Sequence, residues 1–152
     1  MPERFESPIP LPRKGVRALR WLLVAGWMAV IFMASADTAS GDHSGVMVRT
    51  ALGLLGLDAT PERLELVELL FRKASHFTEY AILALLWAWA LPPGRSRLML
   101  AWAAATAYAA TDEWHQAFVP GRGPALTDVG IDSLGAATAL LAAWLRRRLQ
   151  PY

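Results

Sequence analysis

The chain has 152 residues, enough for one domain, with 55% apolar side chains, 18% charged side chains and seven Trp. That balance is rich in apolar residues and poor in charge for a water-soluble fold. The formal charge of +2 and pI near 9.4 would allow nucleic-acid binding, but the basic residues sit mainly at the ends of apolar stretches, which is the membrane-flank pattern. The absence of Cys excludes a disulfide framework, a thiol nucleophile and a Cys-based metal site.

Residues 1–13 hold four Pro and several charges and read as a flexible cytoplasmic tail. A first span covers about Val16 to Ala36. A cleavable signal peptide shares its basic start, apolar core and Ala34-Ser35-Ala36 ending, but the apolar stretches downstream favour an uncleaved membrane span. Asp37 to Thr60 form a polar outer connection in which Val48, Ala51, Leu52 and Leu55 recur at helical spacing, predicting a short interfacial helix. Thr60 then suits an N-cap, with Pro61 at the first helical position and Glu62 favourable to the helix dipole. That helix runs into a second span, about Ala74 to Leu91, which Pro92-Pro93-Gly94 ends. The third span is about Leu98 to Phe118, the 119–124 segment turns the chain, and the fourth span is about Asp128 to Leu145. The expected fold is therefore all-α, an integral membrane four-helix bundle with a short interfacial helix between its first two spans, occupying 14–149. Arg13, Lys14, Arg17 and Arg20, then Arg95 and Arg97, then Arg146 to Arg148 would share one side, placing both termini in the cytoplasm.

Six ionisable residues interrupt three of these spans: Lys73, His76 and Glu79 on the second, Asp112 and Glu113 on the third, Asp132 on the fourth. Counted from the cytoplasmic ends, His76, Glu79, Asp112 and Asp132 all fall about 12 to 15 residues in, roughly 18 to 22 Å above the inner rim of the hydrocarbon slab. A charge at such depth costs on the order of 2.5 to 3.5 kcal/mol or more, so charges at one height on different helices should meet each other. His76, Glu79, Asp112, Glu113 and Asp132 are the candidates for acid–base work; Lys73, Tyr80, Gln116, Arg122 and Asp128 are the candidates for holding a ligand.

Each has a plainer explanation. Lys73 can snorkel to the interface, Asp128 can be an N-cap, and two adjacent carboxylates cannot face one way on a helix, so one of Asp112 and Glu113 should meet the headgroup zone or a second helix. Asp132, one turn below Asp128, cannot be explained as a cap; Gly135 and Ala139 continue its face with small residues suited to close helix packing. Trp114 and Phe118 suit an aromatic belt. Carboxylates with His76 could ligate a divalent ion, yet no metal-site signature occurs and Lys73, Arg122 and His76 can neutralise the acids, so no metal or other cofactor is assigned. Ser35 and Ser133 lack a nucleophile-elbow setting.

Arg72-Lys73-Ala74-Ser75-His76-Phe77-Thr78-Glu79-Tyr80 resembles the signature of the VanZ-like family. The similarity continues through Tyr108 to Arg122, including Asp112-Glu113-Trp114-His115-Gln116, and through Asp128-Val129-Gly130-Ile131-Asp132-Ser133-Leu134-Gly135-Ala136. Trp27, Ile31-Phe32 and Ser35 are similar but less specific; Trp114 and Ala139 depart mildly from the family's usual aliphatic residue and Gly. The resemblance implies a small polytopic protein of the bacterial cytoplasmic membrane, and its namesake is associated with low-level teicoplanin resistance. It implies no agreed reaction. It places the family's polar motif on Lys73, His76, Glu79, Tyr80, Asp112, Glu113, Gln116, Arg122, Asp128 and Asp132. Three functions follow as expectations: an outward polar pocket binding a lipid-linked or anionic envelope molecule, a charged network that only locks the helices, or a small transporter or proton relay.

Overall fold

A computed structural model describes residues 13–36, 40–54, 56, 60–119 and 125–150. Five helices follow in order: α1 (Arg13–Ala36), α2 (Ser40–Leu54), α3 (Pro61–Ala90), α4 (Arg97–Gln116) and α5 (Leu126–Leu149), and the described residues contain no strand. The described residues are thus all-α. Helices α1 and α5 are long and apolar enough to cross a membrane.

Helix α3, with 30 residues, is the longest, about 45 Å at the usual rise. Thr60 caps it in an extended conformation, although its side chain makes no capping hydrogen bond, and Pro61 opens the first turn with Glu62 beside it. Leu91 leaves the helix with ψ 145°, as a residue ahead of Pro must, while its amide still bonds to the Trp87 carbonyl at 2.9 Å. The Arg97 Nε then donates to the Ala88 carbonyl, fastening α4 to the end of α3. Helix α4 stops at Gln116, two residues before the expected end. Amides 117 to 119 instead bond three residues back, tightening the chain into the turn ahead of Pro120.

The core is built from small residues. Ala101, Ala105 and Ala109 form a fully buried stripe on α4, facing Ala84, Ala88, Leu83 and Tyr80 of α3 and Ala136 and Leu140 of α5. Helix α5 approaches α3 so closely that a Cβ on Gly135 would stand 2.3 Å from the Phe77 carbonyl oxygen. Helix α1 is fastened by directional bonds: Trp27 Nε1 donates to the Glu79 carbonyl at 3.0 Å and the Tyr108 hydroxyl to the Met28 carbonyl at 2.6 Å. Helix α2 packs on α3, with Val48 buried and Arg49 paired to Glu68 at 3.5 Å. Of the other residues expected to mark its apolar face, Leu52 is half-buried, Ala51 is exposed and Leu55 lies outside the described residues. Large apolar side chains cover the outside of the bundle, Leu22 at 68% and Met33 at 69% exposure among them. Such a surface is suited to contact with lipid and would be an aggregation hazard in water.

Candidate functional site

Helices α3 and α5 run parallel, so successive turns face each other. Lys73 meets Asp128 with Nζ and Oδ1 2.5 Å apart, His76 meets Asp132 with Nδ1 and Oδ1 3.7 Å apart, and Phe77 meets Gly135 below them. The first contact is a charge-assisted hydrogen bond. The second is beyond hydrogen-bond length and is an ion pair when His76 is protonated. The N-cap position of α5 belongs to Ala125, so Asp128 is not the cap; it lies in the first turn, where its carboxylate reaches Lys73. Lys73 accordingly turns inward to a partner on α5.

Helix α4 brings two adjacent carboxylates, both buried, Asp112 at 3% and Glu113 at 4% exposure. They diverge. Glu113 Oε2 accepts the Ala125 amide at 2.9 Å, so this acid meets the entrance of a second helix, a favourable end of the α5 dipole. Asp112 turns toward Ser35 of α1 and accepts the Gln116 side-chain amide at 3.3 Å. His76 lies within electrostatic reach of Asp112, and Glu113, Asp128, Asp112 and Glu79 lie within reach of Asp132. Tyr80 is wholly buried one turn below His76, its ring 6.3 Å from that of Tyr108, with Asp112 and Asp132 nearby.

Asp132 is 1% exposed. Both of its carboxylate oxygens, Asp112 Oδ1 and the Tyr80 hydroxyl are buried without a hydrogen-bond partner among the described residues. Each such group costs about 1 to 3 kcal/mol against folding, and native proteins carry few of them. Four such atoms on three facing side chains can present both donor and acceptor functions to a polar group brought between the helices, with His76 Nδ1 3.7 Å from the Asp132 carboxylate. Among the described residues no three His, Asp or Glu side chains group closely enough to hold a metal ion.

Arg122 lies outside the described residues. The other nine residues singled out from the sequence lie on α3, α4 and α5 around this junction. Ser35, which the sequence does not mark as a site residue, joins it from α1 beside Asp112. Its signal was weak: a small polar residue one turn after buried Ile31, on the same inward face of α1. Trp114 and Phe118 form an edge-to-face pair on the outer surface, each 70% exposed, away from the buried cluster.

Residues 20–147 match the family described as VanZ/LLP1. The chain belongs to the VanZ family. The match takes in most of α1, all of α2, α3 and α4, and nearly all of α5, so it includes every element that builds the cluster. No curated protein and no solved structure matches the chain. Membership of the VanZ family together with two apolar helices of spanning length points to a membrane protein of the cell envelope.

Proposed function

We infer that this VanZ-family protein crosses the bacterial cytoplasmic membrane four times, through α1, α3, α4 and α5, with both termini inside. Its polar cluster serves as an outward-facing site for a lipid-linked envelope molecule. Helices α3 and α4 have 30 and 20 residues, sufficient at ~1.5 Å per residue for a ~30 Å slab, and the residues that make them less apolar include those of the cluster. The observation that carries the reading is the set of buried oxygens on Tyr80, Asp112 and Asp132 that have no hydrogen-bond partner among the described residues, at the junction of three helices. The described cluster holds five carboxylates against the fixed cations Lys73 and Arg72 and the titratable His76 and His115, an acidic excess that disfavours a small free anion. A lipid-linked molecule is the better fit, offering hydroxyl or amine donors to Asp112 and Asp132 and its anionic group to Lys73. Arg122 would assist Lys73. His76 with Asp132 is the pair that would move a proton in any modification of that ligand.

A second reading has its own support. Lys73 to Asp128 and Glu113 to the Ala125 amide tie α3, α4 and the start of α5 together, as a purely structural lock would. The readings separate with His76→Ala and Asp132→Asn. A binding site predicts loss of the envelope phenotype, including any glycopeptide tolerance, with membrane abundance and melting temperature in detergent retained, since residues kept for function are often not optimal for stability. A structural lock predicts early melting, because removing one partner of a buried pair costs roughly 3 to 5 kcal/mol. Such a loss in both variants would overturn the site.

A further inference from the structure

At the opposite end of the bundle, a groove of about 560 Å³ opens between the α3–α4 turn and the last turns of α5. Arg95 from the turn, Arg97 from the start of α4, and Arg147 and Arg148 from α5 line it, with Trp89 and Trp144 in its walls. These cations converge from two separate parts of the chain. Arg97 lies within electrostatic reach of both Arg147 and Arg20, so guanidinium groups are crowded there. The Arg148 guanidinium stacks 5.0 Å above the Trp144 ring, which holds its charge beside the groove wall.

Neither stretch of sequence that builds the groove carries a counter-charge. No acidic residue occurs from Tyr80 to Thr111, or from Ser133 to the last residue. Basic flanks alone would explain arginines scattered around a helix end. They would not explain four arginines sharing one concavity that continues into an apolar one. A second groove, about 290 Å³, shares Leu98, Leu140 and Trp144 with the first and runs between α4 and α5 past Met99, Trp102 and Leu141. The composite has a cationic head chamber and a hydrocarbon-lined extension, the shape of an anionic amphiphile.

We propose that this groove is a binding site for an anionic membrane phospholipid, its phosphate held among Arg95, Arg97, Arg147 and Arg148 and an acyl chain lying along Met99, Trp102 and Leu141. The inference rests on the membrane reading above and is independent of the polar cluster. Guanidinium groups match phosphate oxygens in forked pairs, and basic pockets between membrane helices on the cytoplasmic side suit lipid headgroups.

The test titrates the full chain in detergent with dioctanoyl phosphatidylglycerol, dioctanoyl phosphatidylcholine, glycerophosphate and inorganic phosphate, reading the melting temperature. Phosphatidylglycerol alone should stabilise. Arg97 also fastens the α3–α4 turn, so the variant pairs the exposed Arg95→Gln and Arg147→Gln, which leave that bond in place. It should bind phosphatidylglycerol roughly thirtyfold more weakly, at about a fivefold loss per arginine. Lys14→Gln with Arg17→Gln removes the same charge from the α1 flank and should leave affinity unchanged. Equal effects of phosphatidylcholine, or equal loss in the flank variant, would reduce the groove to a general basic rim and overturn the proposal. Binding of glycerophosphate or inorganic phosphate as tightly as the lipid would make it a free-anion site, overturning it equally. Membrane fractionation of the same variants reports insertion separately, so failure of the membrane reading is distinguishable from failure of the lipid site.

Discussion

Lys73 is the residue whose surroundings most changed its meaning. Alone on a helix near the membrane surface, it reads as a snorkelling side chain; opposite Asp128, it is one half of a half-buried pair with a 2.5 Å contact. Such a pair should couple by on the order of 1 kcal/mol, between the values for exposed and fully buried bridges. A double-mutant cycle of Lys73→Met and Asp128→Asn, followed by unfolding in detergent, should return that coupling energy. Additive single effects would mean that the pair contributes nothing to the fold. The sequence showed that Lys73, His76 and Tyr80 share one face of α3 and that Asp128 and Asp132 share one face of α5, because helical spacing is local information. Which carboxylate meets which cation depends on how far α5 sits along α3. Spacing carries no information about that.

At the scale of the helix, Gly135 sets the distance between α3 and α5. A methyl group there would stand 2.3 Å from the Phe77 carbonyl oxygen, so Gly135→Ala should force the helices apart and destabilise the bundle by roughly 1 to 3 kcal/mol. Gly26 in α1 has open space around it, and Gly26→Ala should be neutral or stabilising by up to about 1 kcal/mol, since Ala is the better helix former. Thermal unfolding of the two variants under identical conditions checks the contrast. Both ends of α3 were legible because Thr60-Pro61 and Pro92-Pro93 constrain the backbone locally. The end of α4 is not legible to within two residues because Ala117 and Phe118 continue the composition of a span while the backbone has already tightened into a turn. The buried side of α2 was only partly legible; Val48 is covered by packing on α3, while Ala51 faces outward despite its place in the apolar pattern.

For the whole molecule, the four-span reading puts the two ends of α3 on opposite sides of the membrane. The chain has no native Cys, so Thr60→Cys and Arg95→Cys, both at exposed positions, give single labels. An impermeant thiol reagent applied to intact cells should modify Thr60→Cys and spare Arg95→Cys; modification of both, or of Arg95→Cys alone, would overturn the orientation. The close approach at Gly135 bears on the bundle in another way. Asp128 and Asp132 are four residues apart, one helical turn, so a slide of α5 by a single turn would set Asp132 against Lys73 and keep a carboxylate opposite a cation. The Lys73 pair alone therefore does not select the alignment, although the slide would take Asp132 away from His76. The slide would also carry Ala139 to the place of Gly135, driving its methyl group into the Phe77 carbonyl. Gly135 is the notch of a ratchet: it admits the alignment that places His76 beside Asp132 and rejects its one-turn neighbour.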